Sequence, residues 1–248
     1  KGAQKEENIS LPRLDAVKRM YELAQGLIKV VTIAPEQPEA LEAIAWLKER
    51  GVIVSAGHTG ATFAQAAEAV DAGVRHFTHC FNAMTGLHHR EPGVVGAAMY
   101  HEHLSTELIA DGIHVHPAVM RILYRVKTPE RLALVSDSMR ATALGEGTYD
   151  LGGQEVRVRD NQAQLADGTL AGSILTLNKA VANMVTLSGV PLAEAVEMAS
   201  HTPAAILGYG ERKGRLAAGY DADMIVLDDD FEVAMTFVAG KRVYERAQ

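Results

Sequence analysis

Three histidines and at least one aspartate stand where short apolar runs give way to polar residues. His58 follows the run 52–57, His79 lies in the run 76–81 with Asn82 just beyond, Asp111-Gly112-Ile113-His114 follows 106–110, and Asp137 closes 132–136. The first run, 27–34, passes into Pro35 and Glu36. Imidazole nitrogens are borderline ligands for a divalent metal, and a carboxylate beside such an ion can carry a proton from an attacking water to a leaving group. The chemistry this set predicts is metal-assisted hydrolysis. A single histidine is ordinarily a hydrogen-bonded residue of a loop or core, but His58 and His79 lie about one βα unit apart. That spacing places them at one height on neighbouring strands, within reach of one ion. The competing role for Asp137 is a helix or turn cap, and for His114 a capping contact ahead of Pro117 rather than donation to an oxyanion or a substrate hydroxyl. Arg90 lies on the loop after the third run, where a guanidinium suits a phosphate or carboxylate or is simply solvated. His76 and Cys80 are expected to point to the opposite face of their strand from His79, as structural residues. His88, His89, His101 and His103 are expected to be solvated.

The elements that would hold these residues alternate along the chain. Runs at 27–34, 52–57, 76–81, 106–110 and 132–136 read as buried strands of a parallel sheet, because they are mostly rich in Val, Ile and Leu. Helices separate them, with Pro38 near the start of one and Gly51 at its stop. Thr62 and Gln65 form a capping box before Phe63, Ala66, Ala67 and Val70, with Gly73 as the stop. Pro117 opens a third helix whose predicted inner face is Val119, Ile122, Leu123 and Val126. In such sheets the site lies at the carboxyl ends of the strands, where the polar residues gather. Beyond Asp137, turn signals at Gly152-Gly153 and Asp167-Gly168 predict a β-hairpin excursion at about 148–170. Helices are expected from 173, with Leu177, Ala180, Val181 and Met184 inward and Gly189 as the stop, and over 191–200. Strands at 223–228, 232–238 and 241–244 form a second, small β module. The division expected is 1–212 and 213–248.

Composition limits the partners. The chain has 248 residues, 48% of them hydrophobic and 22% charged, with a net charge of −7 and a single cysteine. Neither a disordered nor a collagen-like chain has this composition. No basic stripe could track phosphates, so neither nucleic acid nor an anionic membrane is an expected partner. One thiol cannot form an internal disulfide, which suits a reducing, cytoplasmic setting. No apolar run reaches the ~18 to 20 residues of a membrane span, and the start has neither a signal peptide nor a methionine. The chain is therefore expected to begin inside a longer product.

Several segments together resemble the amidohydrolase superfamily, and within it the deacetylases of amino-sugar phosphates. They are Ser55-Ala56-Gly57-His58-Thr59-Gly60-Ala61-Thr62, Thr78-His79-Cys80-Phe81-Asn82-Ala83-Met84, Arg90-Glu91-Pro92-Gly93, Ala110-Asp111-Gly112-Ile113-His114-Val115, Val135-Ser136-Asp137 and Leu170-Ala171-Gly172-Ser173. The tail Gly214-Arg215-Leu216-Ala217-Ala218-Gly219-Tyr220-Asp221-Ala222-Asp223 resembles the return of the chain into that superfamily's small β-sandwich. The resemblance implies an α/β fold, a (β/α)8 metal-dependent hydrolase barrel with about five βα units present and its N-terminal strands missing, carrying a small β-sandwich module at the C-terminus. It implies His58 and His79 as metal ligands and Asp137 as the catalytic acid and base. The metal would be divalent, Zn2+ first, with Fe2+, Co2+ or Mn2+ as alternatives.

The substrate implied is N-acetylglucosamine 6-phosphate, cleaved to glucosamine 6-phosphate and acetate. Asn82 and Ala83 would bind the sugar phosphate, and Arg90 would pair with the phosphate from the neighbouring subunit of a homodimer. His114 would contact the sugar, Leu170, Ala171 and Gly172 would line the pocket, and Ala3 and Gln4 would approach the acetamido group. Gln4 departs from the histidine frequent there, and it can donate to a carbonyl but not carry charge. A second variation is Ser136-Asp137-Ser138-Met139-Arg140, which keeps the aspartate. In the family an acidic ligand lies upstream of the Lys-Gly-Ala motif found here at Lys1-Gly2-Ala3. Two protein ligands, where a catalytic zinc usually has about three, imply weak metal binding and impaired turnover by this stretch alone. The alternatives are another amidohydrolase acting on a cyclic or linear amide, a catalytically silent homologue serving as a binding subunit, and a metal-free sugar-phosphate isomerase barrel. The first often uses a bridging lysine, and no run here ends in a suitable one.

Overall fold

The apolar runs become strands and the segments between them helices. In the computed structural model, which describes residues 1–247, the order is α1 (Leu14–Leu23), β1 (Val30–Ile33), α2 (Ala40–Lys48), β2 (Ile53–Ala56), α3 (Phe63–Ala72), β3 (Val74–Phe77), α4 (Gly93–Tyr100), β4 (Ser105–Ile109), α5 (Pro117–Lys127) and β5 (Leu132–Val135). There follow β6 (Gly147–Leu151), β7 (Gln154–Arg159), β8 (Gln162–Gln164), α6 (Leu177–Thr186), α7 (Leu192–Ala199), α8 (His201–Ile206), β9 (Met224–Leu227), β10 (Val233–Val238) and β11 (Lys241–Glu245). The chain divides into two compact units, one of Lys1–Leu108 with Asp137–Ile174, the other of Ile109–Ser136 with the chain from Leu175 onward. Among the described residues no helix is long and apolar enough to cross a membrane.

In the first unit β1, β2, β3 and β4 pair in parallel in sequence order, with Val31 beside Val54, Ser55 beside His76 and Phe77 beside Thr106. An order without reversal is that of a singly wound βα barrel wall, not of a doubly wound sheet with a switch point. Val54, Phe77 and Leu108 are fully buried in this sheet. The helices α2 and α3 cover it with Ala43, Ile44 and Leu47 and with Ala66, Ala69 and Val70. The capping box forms as the sequence predicts: Gln65 N–H donates to the Thr62 hydroxyl, and Thr62 N–H donates to Gln65 Oε1 at 2.9 Å. Gly73 ends α3 at φ +153°, and a Cβ there would come within 2.9 Å of the Lys48 side chain.

The excursion after Asp137 is larger than a hairpin. It is a three-stranded antiparallel meander, β6-β7-β8, turning at Gly152-Gly153 and enclosing its own apolar cluster of Met139, Ala141, Val156, Val158, Ala163 and Ala171. The strand β8 has only three residues, with the small Ala163 as its single inward side chain, which is why its pattern carries little strand signal.

Within the second unit α6 and α7 pack on β5, and β9, β10 and β11 form the expected small antiparallel sheet in the order β11-β10-β9. Two predicted details are corrected. The buried face of α5 is Met120, Leu123 and Lys127, not the predicted set, and Ile122 is 53% exposed. A shift of one residue turns a helix by about 100°, so Val119, Ile122 and Val126 rotate off the core while Leu123 stays. The helix expected from 173 starts at Leu177, and α8 is a separate short helix beyond α7.

Candidate functional site

Both candidate ligands stand two residues past a strand. The strand β2 ends at Ala56 and β3 at Phe77, so the predicted run 76–81 is strand only at its start, and the alternation argument for His76 against His79 does not extend across it. His58 and His79 adopt left-handed backbones, φ +49° and +28°, as does Asp137 at +48°. Each such conformation outside glycine costs ~1–3 kcal/mol and persists only where its surroundings impose it. His58, His79 and Asp137 share this conformation with several residues elsewhere, such as Gln25 and Asp160, and at the rim it sets where their side chains point. The imidazole Nε2 atoms of His58 and His79 lie 2.9 Å apart, with the ring planes at 70°.

Two nitrogens bonded to one tetrahedral zinc at ~2.0–2.1 Å are separated by about 3.3 Å, so the pair fits as two ligands of a single ion. The outer nitrogen of His58 is 3.4 Å from the Lys1 carbonyl, while Nδ1 of His79 is buried without a partner. Burial first, then the neighbouring His79, hold the His58 ring below the ordinary imidazole value, with Asp137 pulling the other way. A neutral ring keeps the lone pair that a metal needs. Among the described residues no third His, Cys, Asp or Glu joins the pair as a ligand group.

A cavity of about 580 Å³ opens over this rim, with Gln4, Glu36, His58, Thr78, His79 and Asp137 in its wall. Glycine is required at Gly57, whose Cβ would fall 2.7 Å from that of Thr78. The Thr78 hydroxyl is 2.9 Å from that of Thr32 and 2.6 Å from that of Ser55, a chain of hydroxyls under the cavity floor. Asp137 is fixed through its backbone: its carbonyl accepts from Ser173 N–H at 2.7 Å, and Met139 N–H donates to the Ser173 carbonyl at 2.9 Å.

Other predicted residues take local partners. Gln4 reaches the cavity wall, whereas the carbonyl of Ala3 accepts from Gln154 Nε2 at 2.6 Å. Asn82 Nδ2 faces the carbonyls of His79 and Cys80, each at 3.4 Å, and the Ala83 carbonyl accepts from Thr59 N–H at 3.0 Å. Leu170 bridges to Gln164, Ala171 is fully buried, and Gly172 lies against the Asp137 carbonyl. Asn82, Ala83, Leu170, Ala171 and Gly172 are not among the residues that line this cavity. Arg90 is exposed, with Nη1 2.6 Å from His89 Nε2, and lies outside the cavity wall.

His114 belongs to the second unit, where its Nδ1 is 2.6 Å from Asp111 Oδ2. Burial pushes the Asp111 carboxyl up, but His114 and the N–H groups of Ile113 and His114 outweigh it and hold the group below the ordinary range. His76 and Cys80 are buried as expected, and His88, His89 and His103 are exposed. His101 is half-buried, contrary to expectation, because α4 ends on it and its ring packs edge-on to Tyr100. Two further site residues had no role assigned from the sequence, Glu36 being noted only as the polar end of the first run and Glu107 not at all. Glu36 lines the cavity, and Glu107 accepts the backbone N–H of His79 at 3.1 Å. A lone carboxylate inside the apolar run of β4 was the available signal for the second.

Residues 5–243 match the model of the amidohydrolase family, and the chain belongs to that family. More particularly, it is 43% identical over 96% of its length to the N-acetylglucosamine-6-phosphate deacetylase of Bacillus subtilis, and 42% identical over 97% to an N-acetylgalactosamine-6-phosphate deacetylase of Escherichia coli O157:H7. Among solved structures, the N-acetyl-D-glucosamine-6-phosphate deacetylase of Mycobacterium smegmatis, a mutant in complex with N-acetyl-D-glucosamine-6-phosphate, superposes with a TM-score of 0.93 at 38% identity, covering 98% of this chain and 64% of that one. The chain spans 60% and 64% of the length of the two curated relatives.

Proposed function

We propose that this protein hydrolyses the N-acetyl group of N-acetylglucosamine 6-phosphate to give glucosamine 6-phosphate and acetate. The observation that carries the proposal is the convergence of His58 and His79, Nε2 to Nε2 at 2.9 Å, in a cavity that Asp137 also lines. His58 and His79 would hold a divalent ion, Zn2+ by the chemistry of the two donors, which when bound supplies Lewis acidity for the acetyl carbonyl and for the attacking water. Asp137 takes a proton from that water as its oxygen bonds to the carbonyl carbon, and returns it to the amine nitrogen as the C–N bond breaks. Gln4 donates to the acetamide oxygen. Asn82 and Ala83 hold the sugar phosphate, Leu170, Ala171 and Gly172 close the pocket around it, and His114 takes a sugar hydroxyl. Arg90 pairs with the phosphate of the neighbouring subunit's substrate in a homodimer, so that an acidic protein presents a local positive charge where it is needed. The cytoplasm, where sugar phosphates are held, is the setting that fits.

The 42% identity to an N-acetylgalactosamine-6-phosphate deacetylase supports a second reading, the 4-epimer of the same substrate. The test is acetate release by the full-length protein from both phosphorylated epimers and from unphosphorylated N-acetylglucosamine, alongside metal analysis. Release that needs the metal and favours the phosphorylated sugars is expected, and the faster epimer decides between the readings. A metal-loaded protein that deacetylates none of the three would overturn both.

A further inference from the structure

We infer that Glu36 and Glu107 are positioning residues that clamp the two histidine-bearing loops. Neither carboxylate is bonded to an imidazole of His58 or His79; each is bonded instead to the backbone at or just beyond one of them. Glu107, on β4, accepts the N–H of His79 itself through Oε2 at 3.1 Å, while its Oε1 meets His76 Nε2 at 3.0 Å. His76 Nδ1 is in turn 2.7 Å from the Ser105 hydroxyl, so the carboxylate is held at both oxygens by groups that are themselves fixed. Glu36, three residues past β1, accepts Gly60 N–H through Oε1 at 2.7 Å and the Thr59 hydroxyl through Oε2 at 2.5 Å. The same Thr59 hydroxyl accepts Ala61 N–H at 3.0 Å, and Thr59 N–H donates to the Ala83 carbonyl, tying the loop after β2 to the loop after β3. The strands that carry the histidines are thus flanked by two that carry their clamps.

The physical need for such clamps follows from the backbone. His58 and His79 sit at positive φ beyond their strands, where ladder bonds no longer hold the chain and relaxation toward ordinary φ would swing each ring. The hydrogen bonds that the two side chains accept oppose that tendency. The clamp would also set the separation of the two Nε2 atoms, and a metal centre tolerates only ~0.5 Å of error.

This inference rests on the reading of His58 and His79 as metal ligands, so the experiment separates the two. In the full-length protein the Zn2+ dissociation constant is measured by competition with a chromophoric chelator for wild type, Glu36→Ala, Glu107→Ala, Glu36→Gln and Glu107→Gln, and the histidine ring 15N signals of the metal-free proteins are recorded. The alanine variants are expected to stay folded by circular dichroism yet bind Zn2+ ~10–100-fold more weakly, the range for loss of an outer support of a metal ligand. The glutamine variants should keep most of the affinity, because an amide oxygen still accepts the N–H and the amide NH2 can face the hydroxyl or a switched His76 tautomer. If an alanine variant does not fold, Thr59→Val and His76→Asn, each removing one bond to a carboxylate, carry the test with a smaller loss. Folded alanine variants with wild-type affinity would overturn the clamp. A wild-type protein that takes up no Zn2+ would overturn the metal reading instead. The clamp is then judged on the ring signals, where altered His58 and His79 signals in the alanine variants uphold it and unchanged ones overturn it.

Discussion

Asp137 is the residue on which the proposed chemistry turns, and its environment separates shape from proton transfer. Its backbone is locked by Ser173 and its side chain faces the cavity, so Asp137→Asn should leave the fold and the metal affinity intact. The amide cannot shuttle a proton, and kcat should fall by ~10²–10⁴; retention of more than about a tenth of wild-type kcat would remove Asp137 from that role. A second aspartate makes a different prediction. Asp111 is held below the ordinary carboxylate range, so it binds its proton less readily in the folded than in the unfolded chain. The stability it contributes is present above the unfolded value, about pH 4, and is lost as pH falls through the lower folded value. Asp111→Asn should cost ~1–3 kcal/mol at pH 7, the scale of hydrogen bonds to a charged group, and the gap from wild type should close toward pH 3 in urea titrations. An equal gap at both pH values would mean that the carboxylate charge contributes nothing. At this scale the sequence revealed what ends a strand: His58, His79 and Asp137 were visible because apolar runs point at them. The roles of Glu36, noted only as a strand-end residue, and of Glu107 were not, since their partners, Thr59 and Gly60 for the first and His76 and His79 for the second, lie 23 to 31 residues away in sequence.

At the scale of elements, local chemistry proved readable wherever its partners are near in sequence. Thr62 and Gln65 bond to each other across three residues, and the box they form was written in their types alone. Thr62→Ala should therefore lower stability by ~1 kcal/mol, seen as a reduced denaturation midpoint with an unchanged slope, because only the start of α3 loses satisfied N–H groups. A change within error would show that the N–H groups there find other acceptors or water. Strand ends were less legible. The run 76–81 was extended past Phe77 by Cys80 and Phe81, but the chain leaves the ladder there to take up left-handed backbones at His79 and Phe81. The third strand of the meander escaped because it is short, pairing with Arg157, Val158 and Arg159 through Gln164, Ala163 and Gln162, with only the small Ala163 turned inward.

At the scale of the whole molecule the family was legible in the sequence, and its model matches residues 5–243, whereas the arginine proposed for the phosphate is not among the residues lining the cavity. Arg90 is exposed beside His89 on the loop that leads into α4. Arg90 serves either its own subunit or a neighbour, and in the second case the site is shared between subunits. The two cases differ in mixtures. Arg90→Ala alone should raise KM for the phosphorylated sugar and narrow its advantage over the unphosphorylated one, with kcat little changed. Asp137→Asn alone should be nearly inactive. In a mixed dimer with Arg90 acting across the interface, the subunit carrying Arg90→Ala keeps Asp137 and receives an intact Arg90 from its partner, so one wild-type site is rebuilt. Co-refolding or co-expression of the two variants should then restore low-KM activity to up to half of the sites in each mixed dimer, and dilution below the dimer's dissociation constant should abolish it. If Arg90 acts within its own chain, no mixture can contain a site with both groups, and the low-KM activity will not return at any ratio or concentration.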